Sequence, residues 1–385
     1  MDDDLIVDDD IQRAESLPAR TFTDESIAQR ERETIFARQW LMLPERTTLE
    51  RRDDARTLAE QVAARGARTP LSFLDRSLFL QRGWDDDALR LFPNACTHAW
   101  YPLVHGPSRG NAIACGQHGR KLDCAGRFLS QPGFKDLPDF PRACDHLRAS
   151  RALEWRGFLF TSLDTPRVEH GEAFAEIDAS LAKMPLEGLR LAPLDHEIRD
   201  VAGNWKQHAW NYMDSFHVTY IHRAPGGLAD AIDMSSYRTE LHRWSALQWA
   251  YARDARAGFN PDELPERFRD PAGRRVFALW WFVFPNLALN FYPWGLSVNL
   301  YLPVPGKPDT TRFCWFHRVR DAEKYARRDR DWLSAQVDAE DVDAMAQVQR
   351  GLRSGVTPRG RFAPEGERGP HWFHHLVSRE LRALP

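Results

Sequence analysis

The apolar and polar positions divide the chain into stretches with different predicted elements. After an acidic N-terminal tail, Thr23 has the features of a helix N-cap, because Asp24 and Glu25 follow in the first turn. A helix is predicted from there to about Gln39. Short apolar runs broken by Gly, Pro and Asp then fill residues 45–165. These runs predict a β domain in that stretch.

Residues 166–385 combine helical and strand patterns. The predicted helices are Phe174–Met184, Asn204–Tyr220 and Arg328–Leu352, and the predicted strands lie in Val276–Val304 and Arg312–Val319. The longest apolar run, Val276–Phe284, has nine residues, whereas a membrane helix needs about 20. This run is therefore predicted to be a buried strand.

Composition and charge limit the function classes. The chain has 385 residues, 43% of them hydrophobic, and a formal net charge of −3. These values predict a folded protein with a large core and disfavour a nucleic-acid binder, which needs excess positive charge to contact phosphates. The acidic start lacks the basic and apolar regions of a secretory signal. We therefore expect a cytoplasmic protein without membrane segments.

The first candidate metal site consists of two short arms. Cys96-Thr97-His98 is followed, after sixteen residues, by Cys115-Gly116-Gln117-His118. Two thiolates and two imidazoles can hold a [2Fe–2S] cluster, with the cysteines on one iron and the histidines on the other. Structural zinc also takes this ligand set, but its usual order is a Cys pair followed by a His pair. The remaining cysteines lack such spacing and are predicted to be small buried side chains: Cys124, Cys144 and Cys314.

The second candidate site is an Asp-x-x-His-x4-His motif. Asp214 and His217 are three residues apart and share one face of a helix. His217 and His222 are five residues apart, which places them about 140° apart around a regular helix. Both can bind one metal ion only if the helix ends or bulges between them. Two histidines and a carboxylate form the triad that leaves open positions on iron(II) for oxygen and substrate.

The carboxylate of that triad is predicted in the last helix. Asp341 shares a stripe with three apolar residues and should point inward: Met345, Val348 and Leu352. Asp338 lies less centrally on this stripe and is the reserve candidate for the carboxylate ligand. Glu340 and Asp343 fall off the stripe and are predicted to be solvated.

With both motifs in this order, the chain resembles the terminal oxygenase (alpha) subunits of Rieske non-haem iron oxygenases. The segments that carry the resemblance are Cys96–His98, Cys115–Arg120, Asn204–Lys206, Asn211–His222 and Gln349–Leu352. Some positions depart from the family pattern: Thr97 stands where Pro is common, and Arg120 and Lys121 follow His118-Gly119 where an aromatic residue is common.

The resemblance implies an α+β fold with an N-terminal Rieske-type antiparallel β domain over 45–165. A helix-grip (START-like) catalytic domain would follow over 166–385, with an antiparallel sheet around a long helix, and residues 1–44 would pack with it. It also implies one Rieske [2Fe–2S] cluster and one mononuclear Fe²⁺ per subunit. The cluster ligands would be Cys96, His98, Cys115 and His118, and the iron ligands His217, His222 and Asp341.

Further implications of the resemblance concern electron transfer. Asp214 would connect an iron-ligand histidine to a cluster histidine of the neighbouring subunit. Electrons from NAD(P)H would arrive through a ferredoxin or a flavin reductase. The length suits family members that assemble from alpha subunits alone, so a homotrimer is expected.

The leading functional hypothesis is an oxygenase that hydroxylates a small aromatic or alicyclic substrate. It depends on strands rich in Trp and Phe that would line a pocket: Trp280, Trp281, Phe282, Phe284, Phe291, Trp294, Trp315 and Phe316. Because Trp faces also attract quaternary ammonium groups, oxidative N- or O-demethylation of a betaine-like compound is the rival. A Rieske electron carrier and a zinc-stabilised ligand-binding protein are the alternatives from other classes.

Overall fold

The computed structural model describes residues 3–45, 56–134, 137–183, 186, 188–332, 334–356 and 358–383. The chain forms two compact units, a smaller one of Trp40–Pro166 and a larger one of Met1–Gln39 with Arg167–Pro385. The first boundary differs from the predicted 44/45, because Leu41–Met42 pairs with a strand of the smaller unit. In the described ranges, no helix is long and apolar enough to cross a bilayer.

The helices of the described chain begin with α1, whose N-cap is Asp24 instead of Thr23. The Asp24 side chain accepts the Ser26 backbone N–H at 2.8 Å, and a π-helical stretch, Arg32–Phe36, continues α1. In chain order the helices are α1 (Glu25–Glu31), α2 (Leu58–Gln61), α3 (His170–Ser180), α4 (Trp205–Met213), α5 (His217–Ile221), α6 (Leu228–Ala231), α7 (Ala322–Trp332), α8 (Ser334–Arg353) and α9 (Arg368–Arg382).

The smaller unit is built from antiparallel strands. They are β1 (Leu41–Met42), β2 (Ala67–Phe73), β3 (Arg76–Arg82), β4 (Leu89–Pro93), β5 (Ser108–Arg109), β6 (Ala112–Ala114), β7 (Lys121–Asp123), β8 (Phe128–Ser130), β9 (Ser150–Trp155) and β10 (Phe158–Ser162). Within the described residues, one sheet has the order β1-β10-β9-β4-β3-β2-β5 and a second the order β6-β7-β8. Strands β3 and β4 form an antiparallel hairpin in which Phe79 pairs with Phe92.

The larger unit contains one antiparallel sheet with the order β11-β17-β16-β15-β14-β13-β12. Its strands are β11 (Arg190–Ala202), β12 (Arg238–Leu241), β13 (Ser245–Tyr251), β14 (Val276–Val283), β15 (Leu287–Tyr292), β16 (Gly295–Val304) and β17 (Lys307–Val319). Every residue of β14 is buried, which confirms the strand predicted from the longest apolar run. Helix α4 packs against β14, β16 and β17 and against α8 and α9. The predicted α+β class is therefore confirmed.

One predicted helix is interrupted in the structure. The helix predicted over Asn204–Tyr220 ends at Met213, and α5 begins only at His217. Asp214 causes this break because its backbone is extended, with φ −83° and ψ 124°. The helix predicted over Arg328–Leu352 corresponds to the end of α7 and to α8, and Leu333 lies outside the described residues. The break after Met213 separates Asp214 from α5 and leaves His217 as the first residue of that helix.

A buried ion pair joins α1 to α4. The Lys206 Nζ donates to Glu31 Oε1 at 2.6 Å, and the Trp205 indole N–H donates to Glu31 Oε2 at 2.8 Å. Neither charged side chain is exposed to solvent. Burial lowers the pKa of Lys206, although the Glu31 carboxylate opposes that shift. The pair fixes the start of α4, the helix that precedes the iron-site residues.

We expect Lys206→Met to destabilise the protein by about 3–5 kcal/mol, because it leaves the Glu31 carboxylate buried without its cation. The double variant Lys206→Met/Glu31→Gln is the control, since a neutral amide still accepts the Trp205 N–H. Denaturant unfolding of both variants measures the effect. A single variant as stable as the wild type, or a double variant no more stable than the single one, contradicts the prediction.

Candidate functional site

The two predicted cluster arms lie on adjacent loops of the smaller unit. Cys96 and His98 follow strand β4, and Cys115 and His118 lie between β6 and β7. Both thiols are buried. The imidazole rings of His98 and His118 lie 4.9 Å apart between centroids. The structure thus brings all four predicted residues together, with the cysteines inside and the histidines toward the surface.

The donor set of these arms fits a two-iron cluster. Two thiolates can bind one iron and two imidazoles the other. The group of three or more ligand atoms within 4.8 Å that the described residues contain lies in the larger unit and does not include these four side chains. Burial raises the pKa of the Cys96 thiol, so iron binding must supply the charge that keeps it deprotonated.

The remaining cysteines make no second cluster in the described chain. Cys124 and Cys314 are buried, as predicted. Cys144 is exposed, so its predicted burial is wrong. It lies in a short 3₁₀ turn, Ala143–Asp145, in which no residue is buried.

The second site lies in the larger unit, where His217, His222 and Asp341 each offer a ligand atom within 4.8 Å of the others. Asp341 Oδ1 is 3.2 Å from His222 Nε2 and 3.8 Å from His217 Nε2. Helix α5 ends at Ile221, so His222 follows the helix and turns toward His217. This is the helix end that the five-residue spacing required. The donor set and its distances fit one iron(II) bound on a single face.

The electrostatics of this second site favour a cation. Desolvation raises the pKa of the partly buried Asp341 carboxylate, but the neighbouring imidazoles and Asn211 outweigh that effect and lower it overall. Burial lowers the pKa of His217. For His222, contacts with Asp341 and Glu340 outweigh burial and raise its pKa. An ionised carboxylate beside two imidazoles is the state that a divalent metal needs.

Two residues that support the iron site were not identified in the sequence. Glu340 Oε2 lies 2.8 Å from His222 Nδ1, so its predicted solvation is wrong. Asn211 Nδ2 donates to Asp341 Oδ1 at 2.7 Å. Such outer partners fix the ring orientation and the basicity of a ligand. The sequence feature that could have indicated this role is that Glu340 directly precedes the predicted ligand Asp341.

We expect Glu340→Gln to weaken iron binding by about 10–100-fold, because the amide cannot supply the negative charge that supports His222. Iron titration of the apoprotein, with retained metal measured after gel filtration, tests this. Asp343→Asn is the matched control, since Asp343 is an exposed acid on the same helix α8. Equal iron affinity in Glu340→Gln and in the wild type contradicts the prediction.

The inward face of α8 differs from the predicted stripe. Met345 is buried, but Val348 is 44% exposed, and Gln349 is buried instead. Steps of four residues from Asp341 therefore define the inward face. Gln349 could not be found by an apolar pattern because it is polar. Its Oε1 accepts the Asn204 backbone N–H at 3.2 Å.

Asp214 lies beside the iron site without being one of its three grouped donors. Its Oδ1 accepts the Phe216 N–H at 2.7 Å, and its Oδ2 is 3.8 Å from His217 Nδ1. That imidazole nitrogen is buried and makes no hydrogen bond in the described residues. Burial raises the pKa of Asp214 to about 6. A carboxylate facing an unsatisfied imidazole nitrogen is placed to orient that ring.

A cavity of about 360 Å³ adjoins the iron-site residues. Of the eight Trp and Phe residues considered in the sequence, only Trp280, Trp294 and Trp315 line it, and the others belong to the described core. Asp338, the reserve candidate for the third iron ligand, lines the cavity instead of joining the donor group. Burial raises the pKa of Asp338 to about 7. The cavity therefore combines aromatic faces with a buried acid.

Comparison with known proteins identifies both parts of the chain. Residues 56–141 match the Rieske [2Fe–2S] domain, and residues 188–383 match the catalytic domain of the ring-hydroxylating alpha subunit. The second match covers half of the chain. The chain belongs to the ring-hydroxylating alpha subunit family. This alpha subunit is an oxidoreductase that uses a Rieske [2Fe–2S] cluster and a mononuclear iron.

Relatives of this alpha subunit include named oxygenases. The carnitine monooxygenase oxygenase subunit of Escherichia coli K12 is 23% identical, covering 96% of this chain and 95% of its own. The chloroplastic choline monooxygenase of Arabidopsis thaliana is 26% identical, covering 77% and 70%.

Solved structures share the fold of this alpha subunit. A quaternary ammonium Rieske monooxygenase in complex with an inhibitor has a TM-score of 0.74 at 21% identity, covering 96% of both chains. A naphthalene 1,2-dioxygenase mutant has a TM-score of 0.69 at 20% identity, covering 96% and 93%. At these identities the likeness shows the fold alone. This fold occurs both in a quaternary ammonium monooxygenase and in a naphthalene dioxygenase.

Proposed function

We propose that this alpha subunit oxidises a quaternary ammonium compound, and that aromatic hydroxylation is not its reaction. The observation that carries the proposal is the lining of the cavity beside His217, His222 and Asp341, which joins aromatic faces to the Asp338 carboxylate. The named activities of its carnitine and choline monooxygenase relatives support the same choice.

The aromatic wall of the cavity suits a trimethylammonium group. Tyr292 and Trp294 stack with centroids 5.2 Å apart, and Tyr237 and Trp280 stack at 5.9 Å. The Trp280 N–H donates to the Tyr292 hydroxyl at 3.1 Å, which links the two pairs into one surface. Such ring faces attract cations, by up to about 2 kcal/mol where water is excluded. Asp338 lines the same cavity, and a cation bound there would favour its charged form, which an apolar substrate could not do.

The polar part of the lining argues against an apolar ring as the substrate. Asn290, Asn299 and Gln248 line the cavity together with the charged Glu197 and Arg199. Gln248 Oε1 is buried and has no hydrogen-bond partner among the described residues. A hydrocarbon substrate would leave this oxygen unsatisfied, at a cost of about 1–3 kcal/mol, whereas a hydroxylated ammonium compound can donate a hydrogen bond to it. This polar lining favours the rival hypothesis over the leading one.

We assign the cluster to Cys96, His98, Cys115 and His118, and the mononuclear iron to His217, His222 and Asp341. Iron held by these residues would supply the activation of O₂, and the overall reaction would use two electrons and two protons to place one oxygen atom in a substrate C–H bond and release the other as water. The chain's own residues do the rest. Glu340 and Asp214 orient the two imidazoles, and Asp338 with the aromatic wall holds the ammonium group near the open face.

The product distinguishes the hypotheses. Oxygen insertion at a carbon bonded to N⁺ gives a carbinol whose C–N bond breaks, releasing an aldehyde, a tertiary amine and a proton. We would test choline, carnitine and glycine betaine with a surrogate reductase, NADH and O₂. The uncharged isostere 3,3-dimethylbutanol is the matched control for choline, and indole represents aromatic substrates.

We expect product and tightly coupled NADH oxidation with a trimethylammonium compound, and none with the isostere. The outcome that overturns the proposal is hydroxylated indole with no turnover of any cationic compound. Equal turnover of choline and 3,3-dimethylbutanol would also overturn it, because the charge would then have no role.

We also propose that the subunits form a homotrimer, in which Asp214, beside His217 Nδ1 at 3.8 Å, would pass electrons to the iron from a neighbouring subunit's cluster. We expect light scattering to give a trimer mass. Subunits that lack the cluster (Cys96→Ala) and subunits that lack the iron (His222→Ala) should regain activity when both kinds are mixed in one oligomer. An active monomer contradicts the proposal.

A further inference from the structure

An arginine is buried directly behind the two cluster arms. The Arg120 side chain is 1% exposed, and its Nη1 donates to Thr97 Oγ1 at 2.7 Å and to Asp145 Oδ1 at 3.2 Å. Its Nε donates to the side-chain oxygen of Gln131. The amide nitrogen of Gln131 lies 3.0 Å from His98 Nδ1. A fixed positive charge is therefore connected to a cluster histidine through a single glutamine.

Aromatic rings hold this guanidinium in place. Phe128, Phe134 and Phe140 have ring centroids 5.3, 5.4 and 5.7 Å from the Arg120 Cζ. Their faces attract the cation and exclude water from it. A charge surrounded by rings is screened less than a charge at the surface.

Two of the residues that depart from the family pattern, Thr97 and Arg120, are in contact. Thr97 and Arg120 belong to different arms, and the Thr97 hydroxyl accepts from Arg120 while it donates to the Asp145 carbonyl at 2.9 Å. The turn that delivers Arg120 depends on Gly119, whose φ of +72° favours glycine. After that turn, the Arg120 carbonyl accepts the Cys115 N–H at 2.8 Å. The substitutions at 97 and 120 thus form one unit that links both arms.

We propose that Arg120 is a positioning residue whose buried charge raises the reduction potential of the Rieske cluster. The inference rests on the proposed assignment of the cluster to Cys96, His98, Cys115 and His118, and it is independent of the substrate. An oxidised cluster with two thiolates and two neutral imidazoles has no net charge, and one added electron makes it negative. A nearby cation stabilises the reduced form, with Asp145 compensating part of that effect.

The test is a potentiometric titration of the purified full-length holoprotein with dithionite and redox mediators, followed by the cluster's absorbance and electron paramagnetic resonance. We expect Arg120→Gln to make reduction about tenfold less favourable, which is 59 mV for one electron. Arg120→Lys keeps the charge and should retain most of the wild-type potential. Arg127→Gln is the matched control, since the Arg127 side chain is 74% exposed in the same unit and should shift the potential little.

The Asp145→Asn variant should shift the reduction potential of the cluster in the opposite direction, and this test does not depend on whether an Arg120 variant folds. Its amide oxygen still accepts from Arg120, and the lost negative charge should raise the potential. The proposal is overturned if Arg120→Gln titrates at the wild-type potential, or if Arg120→Lys falls as far as Arg120→Gln. If Arg120→Gln does not retain the cluster, an unshifted or lowered potential in Asp145→Asn overturns it. Absence of a Rieske signal in the wild type would instead contradict the cluster assignment.

Discussion

Asp341→Ala should lose the mononuclear iron and keep the Rieske cluster. The carboxylate supplies the only negative charge among the three grouped donors, and its Oδ1 lies within 3.8 Å of both imidazoles. Removing an outer partner of a ligand costs about 10–100-fold in metal affinity, and removing the ligand itself should cost more. We expect turnover below about a hundredth of the wild-type rate, with an unchanged cluster spectrum. Iron analysis together with the cluster's absorbance measures both effects.

Asp338→Ala is the control for this substitution, because it removes a neighbouring acid of the same helix. It lines the cavity and is absent from the donor group. We expect this variant to retain iron and to raise the KM for a trimethylammonium substrate. If Asp338→Ala loses the iron and Asp341→Ala keeps it, the two acids have been assigned the wrong way round.

Asp214→Asn should leave both metal centres loaded and reduce turnover by about 100-fold, the upper end for an outer partner of a metal ligand. The amide keeps the size of the side chain, but it lacks the charge that faces His217 Nδ1 at 3.8 Å. Dithionite should still reduce the cluster at the normal rate. The cluster's reoxidation after substrate and O₂ are added should become slow. Stopped-flow absorbance separates these two steps.

The conservative variant distinguishes a positioning role from a structural one. Asp214→Glu retains a carboxylate and should recover part of the reoxidation rate, whereas Asp214→Ala should not. Wild-type turnover in Asp214→Asn removes this residue from the electron path. Loss of iron in that variant would show that Asp214 holds the site together.

The candidate metal ligands could be found in the sequence because their chemistry requires fixed spacings. Cys96 and His98 are two apart on one short loop, and the five-residue spacing of His217 and His222 required a helix end, which the structure has after Ile221. The β14 strand was equally accessible, because a strand buried on both faces needs a continuous apolar run. Local rules were sufficient for these features.

The supporting residues could not be found because they are defined by tertiary contacts. Glu340 and His222 are 118 positions apart, and Asn211 and Asp341 are 130 positions apart. An apolar stripe could not identify Gln349, a polar residue on the inward face of α8. Predictions from periodicity fail where buried polar groups hydrogen-bond to one another.

The most direct test is a single turnover with prereduced protein. Cluster and iron each hold one electron, which together meet the two that insertion of one oxygen atom requires. Holoprotein is reduced under anaerobic conditions, freed of dithionite, and mixed with O₂ and a trimethylammonium substrate without reductase or NADH. We predict that the cluster is reoxidised while aldehyde and amine form, each in an amount no greater than that of the bound iron. The Asp341→Ala variant should form neither the aldehyde nor the amine. Reoxidation of the cluster without product from any trimethylammonium compound, or product from protein that lacks the cluster, would contradict the proposed function.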